Sequence, residues 1–127
     1  MTDRAFIDSS CVVAIALDER NSSAMASRIR RFASVSAHPL LDAEVRSACA
    51  RDDAPLPARE LERISWIDAP RPLSAEIDRV LAAGYLRGAD ALHLATALYL
   101  EPRPRSLTFL TLDVRQRAVA KKLGFKV

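Results

Sequence analysis

The sequence predicts an α/β sandwich with a mainly parallel sheet. Short apolar runs of strand length alternate with segments of helical periodicity along the 127 residues. This alternation is typical of strand–helix–strand units, in which the strands lie parallel. The chain has no internal repeat, low-complexity segment or linker, so residues 1–127 are predicted to form a single domain.

The first half of the chain alternates apolar strands with helices that have recognisable start signals. Ser22 and Ser23 are N-cap candidates, because a hydroxyl oxygen can accept a bond from a free helical N–H. Pro39 suits the first turn of a helix, where no N–H is needed. The segment "DDAPLPAREL" interrupts that helix. The predicted elements are a strand at Arg4–Asp8, helices at Ser10–Leu17 and Ser22–Phe32, a strand at Ser34–Ala37, a helix at 39–51 and a strand at Ile64–Ile67.

The second half contains the strongest helix and the clearest strand. The segment Ala89–Leu100 is almost entirely apolar, which predicts a helix buried on all sides. Ser74 is the expected N-cap of the preceding helix, and Gly84 and Gly124 are placed to end helices. The predicted elements are helices at Ser74–Ala83, Ala89–Leu100 and Val114–Leu123, a strand at Leu107–Leu112 and a short edge strand at Phe125–Val127.

Composition indicates a soluble cytoplasmic protein. Half of the residues are apolar and 28% are charged, with a net charge of +3 that is compatible with a polyanionic partner. Cys11 and Cys49 lie in apolar helical runs without a CxxC motif, so we expect buried thiols in a reducing compartment. No apolar run reaches membrane-spanning length, and the N-terminus lacks a signal-peptide pattern.

Four acidic residues fall where such a fold gathers its ligands. Asp8 and Asp113 end or follow apolar strands, Asp90 opens the buried helix, and Glu44 lies on the helix after Pro39. Ligands of open parallel sheets collect outside the carboxyl ends of the strands. Each acid also has a structural explanation: Asp8, Asp90 and Asp113 suit helix N-termini, Asp113 has the capping-box spacing to Gln116, and Glu44 can face solvent.

Taken together, the four acids point to a metal ion. Carboxylates at the ends of buried elements are costly unless a cation meets them, and neighbouring like charges raise one another's pKa. The sequence offers no lysine or arginine dedicated to each acid. A divalent cation removes the repulsion, and an all-oxygen ligand set favours Mg²⁺, with Mn²⁺ as the alternative.

With these residues in place, the chain resembles PIN-domain ribonucleases, specifically VapC-type toxins of type II toxin–antitoxin systems. The resemblance covers nearly the whole length and rests on four blocks in a fixed order. These are "FIDSSCVVAIAL", "PLLDAEVRSACAR", "RGADALHLATAL" and "FLTLDVRQRAVAKKLGFKV".

The resemblance implies a three-layer α/β/α sandwich with sheet order 3-2-1-4-5 and an Mg²⁺-dependent endoribonuclease activity. By match to the motifs, Asp8, Glu44, Asp90 and Asp113 correspond to the family's acidic quartet, with Asp8 and Asp90 as primary metal ligands. It also implies a cognate antitoxin that covers the site, a toxin homodimer, and RNA products with 5′-phosphate and 3′-hydroxyl ends.

Other polar residues carry weaker assignments. Arg87 is a candidate for contacting an RNA phosphate or an acid of the site, and a surface position explains it equally well. Arg115 is a weaker RNA-binding candidate, because arginines are common on solvated helix faces. His93 lies one helical turn after Asp90; a packed, hydrogen-bonded histidine is favoured over a ligand or general base. Asp42 is a weaker candidate than Glu44. Only seven residues are aromatic (four Phe, two Tyr and one Trp), which gives little sign of a base-stacking platform.

Two kinds of rival remain. Haloacid dehalogenase phosphatases need a second acid where this chain has Ser10, and response-regulator receivers need a paired early acid and a late lysine that are not evident. A non-catalytic PIN-like protein-binding module is the alternative of a different class. The complete acidic quartet argues against it.

Overall fold

The computed structural model describes residues 3–127, in which seven helices accompany a four-stranded parallel sheet. The predicted alternation of strands and helices is confirmed. The elements are β1 (Arg4–Ile7), α1 (Ser9–Ala16), α2 (Ser22–Arg30), β2 (Ser34–Ala37), α3 (Leu40–Asp52), α4 (Ala58–Glu62), β3 (Ile64–Trp66), α5 (Ser74–Ala83), α6 (Gly88–Leu100), β4 (Thr108–Leu110) and α7 (Val114–Leu123).

The strands lie in the order β3-β2-β1-β4, and every pairing is parallel. In the register of β1 with β4, Ile7 stands opposite Leu110, so these two strands end together. The edge strand expected at Phe125–Val127 is reduced to one parallel bridge between Thr108 and Lys126. Its position is on the far side of β4, where the N–H of Phe109 donates to the carbonyl of Lys126 at 2.8 Å.

Two hydrophobic cores lie on opposite faces of the sheet. In β1, the side chain of Phe6 belongs to one core, while Ala5 and Ile7 belong to the other. This division follows from the alternation of side chains along a strand. Residues of α5, α6 and α7 complete the core of Phe6, and residues of α1, α2 and α3 complete the second. The sheet is therefore covered by helices on both faces.

Both cysteines are free and buried, as expected. Burial raises the pKa of the Cys11 thiol to about 12, so this side chain behaves as a small apolar group. Among the residues described, no helix combines the length and apolar character that a membrane crossing requires.

Several helix ends differ from those expected. The N-cap of α2 is Asn21, in a left-handed conformation with φ of 70°, and Ser22 is the first helical residue. The predicted cap Ser74 is likewise the first residue of α5, after Leu73. Gly124 ends α7 as predicted, with a left-handed φ of 107° that favours glycine.

Candidate active site at the carboxyl ends of the strands

Asp8 directly follows β1 and caps helix α1. Its backbone N–H donates to the carbonyl of Leu110 at 3.2 Å, which continues the pairing of β1 with β4. Its side-chain Oδ1 accepts the N–H of Ser10 at 3.0 Å and also the Ser10 hydroxyl. The structural explanation of Asp8 as an N-cap is therefore correct. The carboxylate is also almost completely buried, with only 3% of the residue exposed.

Ser10 ties the end of β1 to the segment that follows β4. The N–H of Leu112 donates to the Ser10 Oγ at 2.9 Å, and the Thr111 Oγ1 lies 3.3 Å from the same oxygen. These residues are distant in sequence, since Leu112 follows Ser10 by 102 positions. Asp8 is thus held at one end of a hydrogen-bonded chain that crosses between the two strands.

Asp113 caps helix α7, but the expected capping box is only half formed. Its Oδ1 accepts the N–H of Gln116 at 2.8 Å, as predicted. The N–H of Asp113 donates to the Thr111 Oγ1 at 3.0 Å instead of to the Gln116 side chain. The fully buried Gln116 side chain accepts the Thr111 hydroxyl at 2.7 Å and donates to the carbonyl of Asp90 at 3.1 Å. Gln116 therefore connects the start of α6 to the end of β4.

Asp90 lies in the first turn of α6 and faces Asp113 across a small cavity. The cavity has a volume of about 190 Å³ and is lined by Leu86, Arg87, Asp90, Asp113 and Arg115. Burial raises the pKa of the Asp90 carboxyl, and the negative charge of Asp113 raises it further. Arg87 acts in the opposite direction.

Glu44 reaches the same region from helix α3 and contacts His93 of α6. The Nε2 of the buried His93 lies 2.7 Å from Glu44 Oε1. The expectation of a packed, hydrogen-bonded histidine is confirmed. This hydrogen bond is the main cause of the lowered pKa of Glu44, because it favours the ionised carboxylate.

The four predicted acids share one electrostatic neighbourhood, which we call the rim: Asp8, Glu44, Asp90 and Asp113. Burial raises the pKa of Asp8 to about 6, although its bonds with Ser10 and the nearby His93 oppose the change, and the charge of Asp90 adds to it. The charges of Asp113 and Glu44 both act on Asp90.

The rim is not a closed metal cage. Within residues 3–127, no group of three or more His, Cys, Asp or Glu side chains is arranged so that it could hold a metal ion. The donor chemistry still fits a hard dication, because every member of the rim is a carboxylate. Mg²⁺ commonly uses one or two protein carboxylates and completes its shell with waters and phosphate oxygens.

The remaining candidates are placed as follows. Asp42 points away from the rim and pairs on the surface with Arg46 at 3.0 Å, which agrees with its lower ranking. Arg87 and Arg115 line the cavity beside Asp90 and Asp113. Their contact with RNA stays a prediction.

Sequence reasoning underestimated the residues that connect the acids. Ser10 and Thr111 stand beside the acids in sequence, where local capping or packing was favoured over a hydrogen bond to a carboxylate or water. Ser10 does donate to the Asp8 carboxylate, and both residues also join the ends of β1 and β4. The available signal was their spacing, since each hydroxyl residue stands two positions from an aspartate. Nothing in the sequence indicated that Gln116 bonds to the carbonyl of Asp90.

Comparisons of the chain with protein-family models, with curated proteins and with solved structures found no match. A functional assignment therefore depends on the fold and the rim.

Proposed function

We propose that this protein is an Mg²⁺-dependent endoribonuclease of the PIN-domain class, a VapC-type toxin, with Mn²⁺ as the alternative ion. The observation that carries the proposal is the buried carboxylate of Asp8 in the electrostatic field of Asp90. Two further acids act on Asp90 from the same end of the sheet. Mutual repulsion of this kind is relieved by a dication, and RNA phosphates supply the ligands that Mg²⁺ still needs.

Each residue of the rim has a role in this proposal. Asp8 and Asp90 are the primary metal ligands, and Glu44 and Asp113 complete the site directly or through water. When bound, the metal supplies a water of lowered pKa and positive charge for phosphodiester hydrolysis, so no protein nucleophile is required. Ser10 fixes the Asp8 carboxylate through Oδ1, and His93 fixes Glu44. Arg87 and Arg115 bind RNA phosphates beside Asp90 and Asp113.

The sheet supports the family assignment in one further respect. An order of 3-2-1-4-5 requires a fifth strand on the far side of β4, and the bridge between Thr108 and Lys126 occupies that position. The proposal includes the other properties of the family: a cognate antitoxin that covers the rim, a homodimer, and action in the cytoplasm where RNA is accessible.

One observation favours a second candidate, a PIN-like module that binds a protein partner without catalysis. It is that Asp8 and Asp113 each accept a backbone N–H at the start of a helix, so both carboxylates already have a structural role. In that case Asp8 and Asp113 serve only as the helix caps that they form.

A cleavage assay separates the two candidates. The purified protein is incubated with total RNA in Mg²⁺, in Mn²⁺ and in EDTA, together with folded Asp8→Asn and Asp90→Asn variants. The control is Asp42→Asn, because Asp42 is an acid of α3 whose charge pairs with Arg46 outside the rim. We expect metal-dependent cleavage by the wild type and by the control, and none by the two rim variants.

Cleavage that persists in EDTA or in the Asp8→Asn variant would remove the metal-dependent mechanism. A well-folded wild type that cuts no RNA in either metal would favour the binding module.

A further inference from the structure

Tyr85 is an aromatic side chain that the fold leaves in solvent. The residue is 70% exposed, compared with 41% for Trp66. It stands in the short connection between α5 and α6, two positions before Arg87 and five before Asp90. The next residue, Leu86, lines the cavity of Asp90 and Asp113, so the connection that carries the ring borders the rim.

The position of Tyr85 is fixed from both sides. Leu86 is buried in the core with 4% exposure, and Gly84 packs so closely on α7 that an added Cβ would lie 2.8 Å from the Val119 Cγ2. The ring therefore projects from a connection that is anchored at its two neighbours. A rigid aromatic surface loses little conformational entropy on binding.

Tyr85 is one wall of a second cavity, whose charged lining residues in the described part of the chain are both cationic. It has a volume of about 340 Å³ and is lined by Ala83, Gly84, Tyr85, Arg115, Ala118, Val119 and Lys122. A volume of this size falls within the usual range of about 300–1,000 Å³ for small-molecule sites. Arg115 also lines the cavity of Asp90 and Asp113, so the two cavities are neighbours with one wall in common.

An aromatic face beside two cations suits a nucleotide of single-stranded RNA. A base stacks on the ring only when it is unpaired and unstacked from its own strand. Arg115 and Lys122 offer positive charge to the adjoining phosphates, and the lining includes no carboxylate that would repel them.

We propose that Tyr85, Arg115 and Lys122 form a subsite for one unpaired nucleotide, next to the phosphodiester held at the rim. This inference rests on the proposed function and deepens it, because it makes the substrate RNA single-stranded at the cleavage site. It differs from the expectation drawn from composition, in which seven aromatic residues give little sign of a base-stacking platform.

Equilibrium binding in EDTA tests the subsite without any cleavage. A short fluorescein-labelled single-stranded RNA is titrated with wild type, Tyr85→Ala and Tyr85→Phe, and anisotropy is measured. We expect Tyr85→Ala to weaken binding about tenfold, the loss of one base–aromatic stack, and Tyr85→Phe to stay within about twofold. The control is Trp66→Ala, which removes an exposed ring remote from Arg115 and is expected to bind as wild type.

A pair of adjacent lysines provides a matched test of the cationic wall. Lys122 lines the cavity, whereas Lys121 is also exposed but does not. Lys122→Gln should reduce the slope of log K against log salt by about 0.7, the value for one phosphate contact on a single strand. Lys121→Gln should leave the slope unchanged.

The outcomes separate this inference from the nuclease proposal. If the wild type cleaves RNA but Tyr85→Ala binds as tightly as wild type, the subsite is wrong and the nuclease stands. If Tyr85→Ala loses binding but the wild type cleaves nothing, the subsite stands and the nuclease fails. No binding of single strands in EDTA, or equal competition by a duplex, overturns the subsite.

Discussion

The Nε2 atom of His93 lies 2.7 Å from Oε1 of Glu44, and this contact joins helix α6 to helix α3 at the rim. The imidazole side chain is only 1% exposed, compared with 33% for the Glu44 side chain. Among the described residues, the Nδ1 of His93 has no hydrogen-bond partner. The bond to Glu44 is therefore the one that orients the ring, and it holds the carboxylate in its ionised form.

Replacement of His93 should destabilise the fold more than replacement of Glu44. His93→Ala leaves a cavity and removes the hydrogen bond, so we expect a loss of about 2–4 kcal/mol in the free energy of unfolding. Glu44→Gln keeps an acceptor oxygen for Nε2 and should cost less than about 1 kcal/mol. Urea denaturation measures both. Equal losses would show that the glutamine amide does not replace the carboxylate as the partner of Nε2.

Asp8→Asn should stabilise the metal-free protein at pH 7.5. The folded-state pKa of about 6 lies above the ordinary 3.8, so the folded protein binds more protons than the unfolded chain between these values. The free energy of unfolding consequently falls as the pH rises from about 4 to 6, because the Asp8 carboxyl ionises in a buried position. The total loss is at most about 3 kcal/mol and does not increase above pH 6. An asparagine at this position does not ionise, so the Asp8→Asn variant does not lose this stability.

Thermal melts from pH 4 to pH 8 in EDTA give the measurement. The difference between Asp8→Asn and wild type should grow from pH 4 to about pH 6 and then stay constant up to pH 8. Asp42→Asn, on the exposed side of α3, should follow the wild type. A variant that is less stable than wild type at pH 7.5 would contradict the buried-charge account of Asp8.

Mg²⁺ should raise the melting temperature of the wild type more at pH 7.5 than at pH 5. A ligand that binds only the folded state stabilises it, and the metal binds deprotonated carboxylates. Because the pKa values of Asp8 and Asp90 are both raised, protons compete with the metal in the acidic range. Differential scanning fluorimetry with and without the metal measures the shift. An equal shift in Asp8→Asn would place the ion elsewhere.

Gly84→Ala should destabilise the protein, whereas Gly88→Ala should not. A Cβ at Gly84 would meet the Val119 Cγ2 at 2.8 Å, and such overpacking costs about 1–3 kcal/mol. A Cβ at Gly88 meets nothing within 4 Å, and alanine is the better helix former, so we expect no loss. Urea denaturation of the two variants provides the comparison. A neutral Gly84→Ala would mean that the connection before α6 can move away from α7.

The elements that the sequence predicted best are those whose local signal agrees with their tertiary environment. The runs at Ala5–Ile7 and Leu107–Leu110 direct apolar side chains to both faces of the sheet, because helices cover both faces. Asp8 directly follows β1 and also caps α1, so two independent physical reasons place it there. Asp113 caps α7 but lies three residues after β4, which ends at Leu110 instead of at the predicted Leu112.

The features that sequence reasoning missed depend on contacts between distant segments. The N-cap of α2 is Asn21 instead of a serine, because the preceding turn reaches the helix through a left-handed residue. The strand expected at Phe125–Val127 is limited to a single bridge with Thr108. Gln116 leaves its predicted capping partner for the carbonyl of Asp90, which only the packing of α7 against α6 makes available.

The hydrogen bond between Ser10 and Leu112 can form only late in translation, because the two residues are separated by 102 positions. An emerging polypeptide carries Asp8 early, but Thr111, Leu112 and Gln116 leave the ribosome much later. Until they do, Ser10 lacks its donor and the central strand β1 lacks its neighbour β4. A half-made chain therefore has no assembled acidic site.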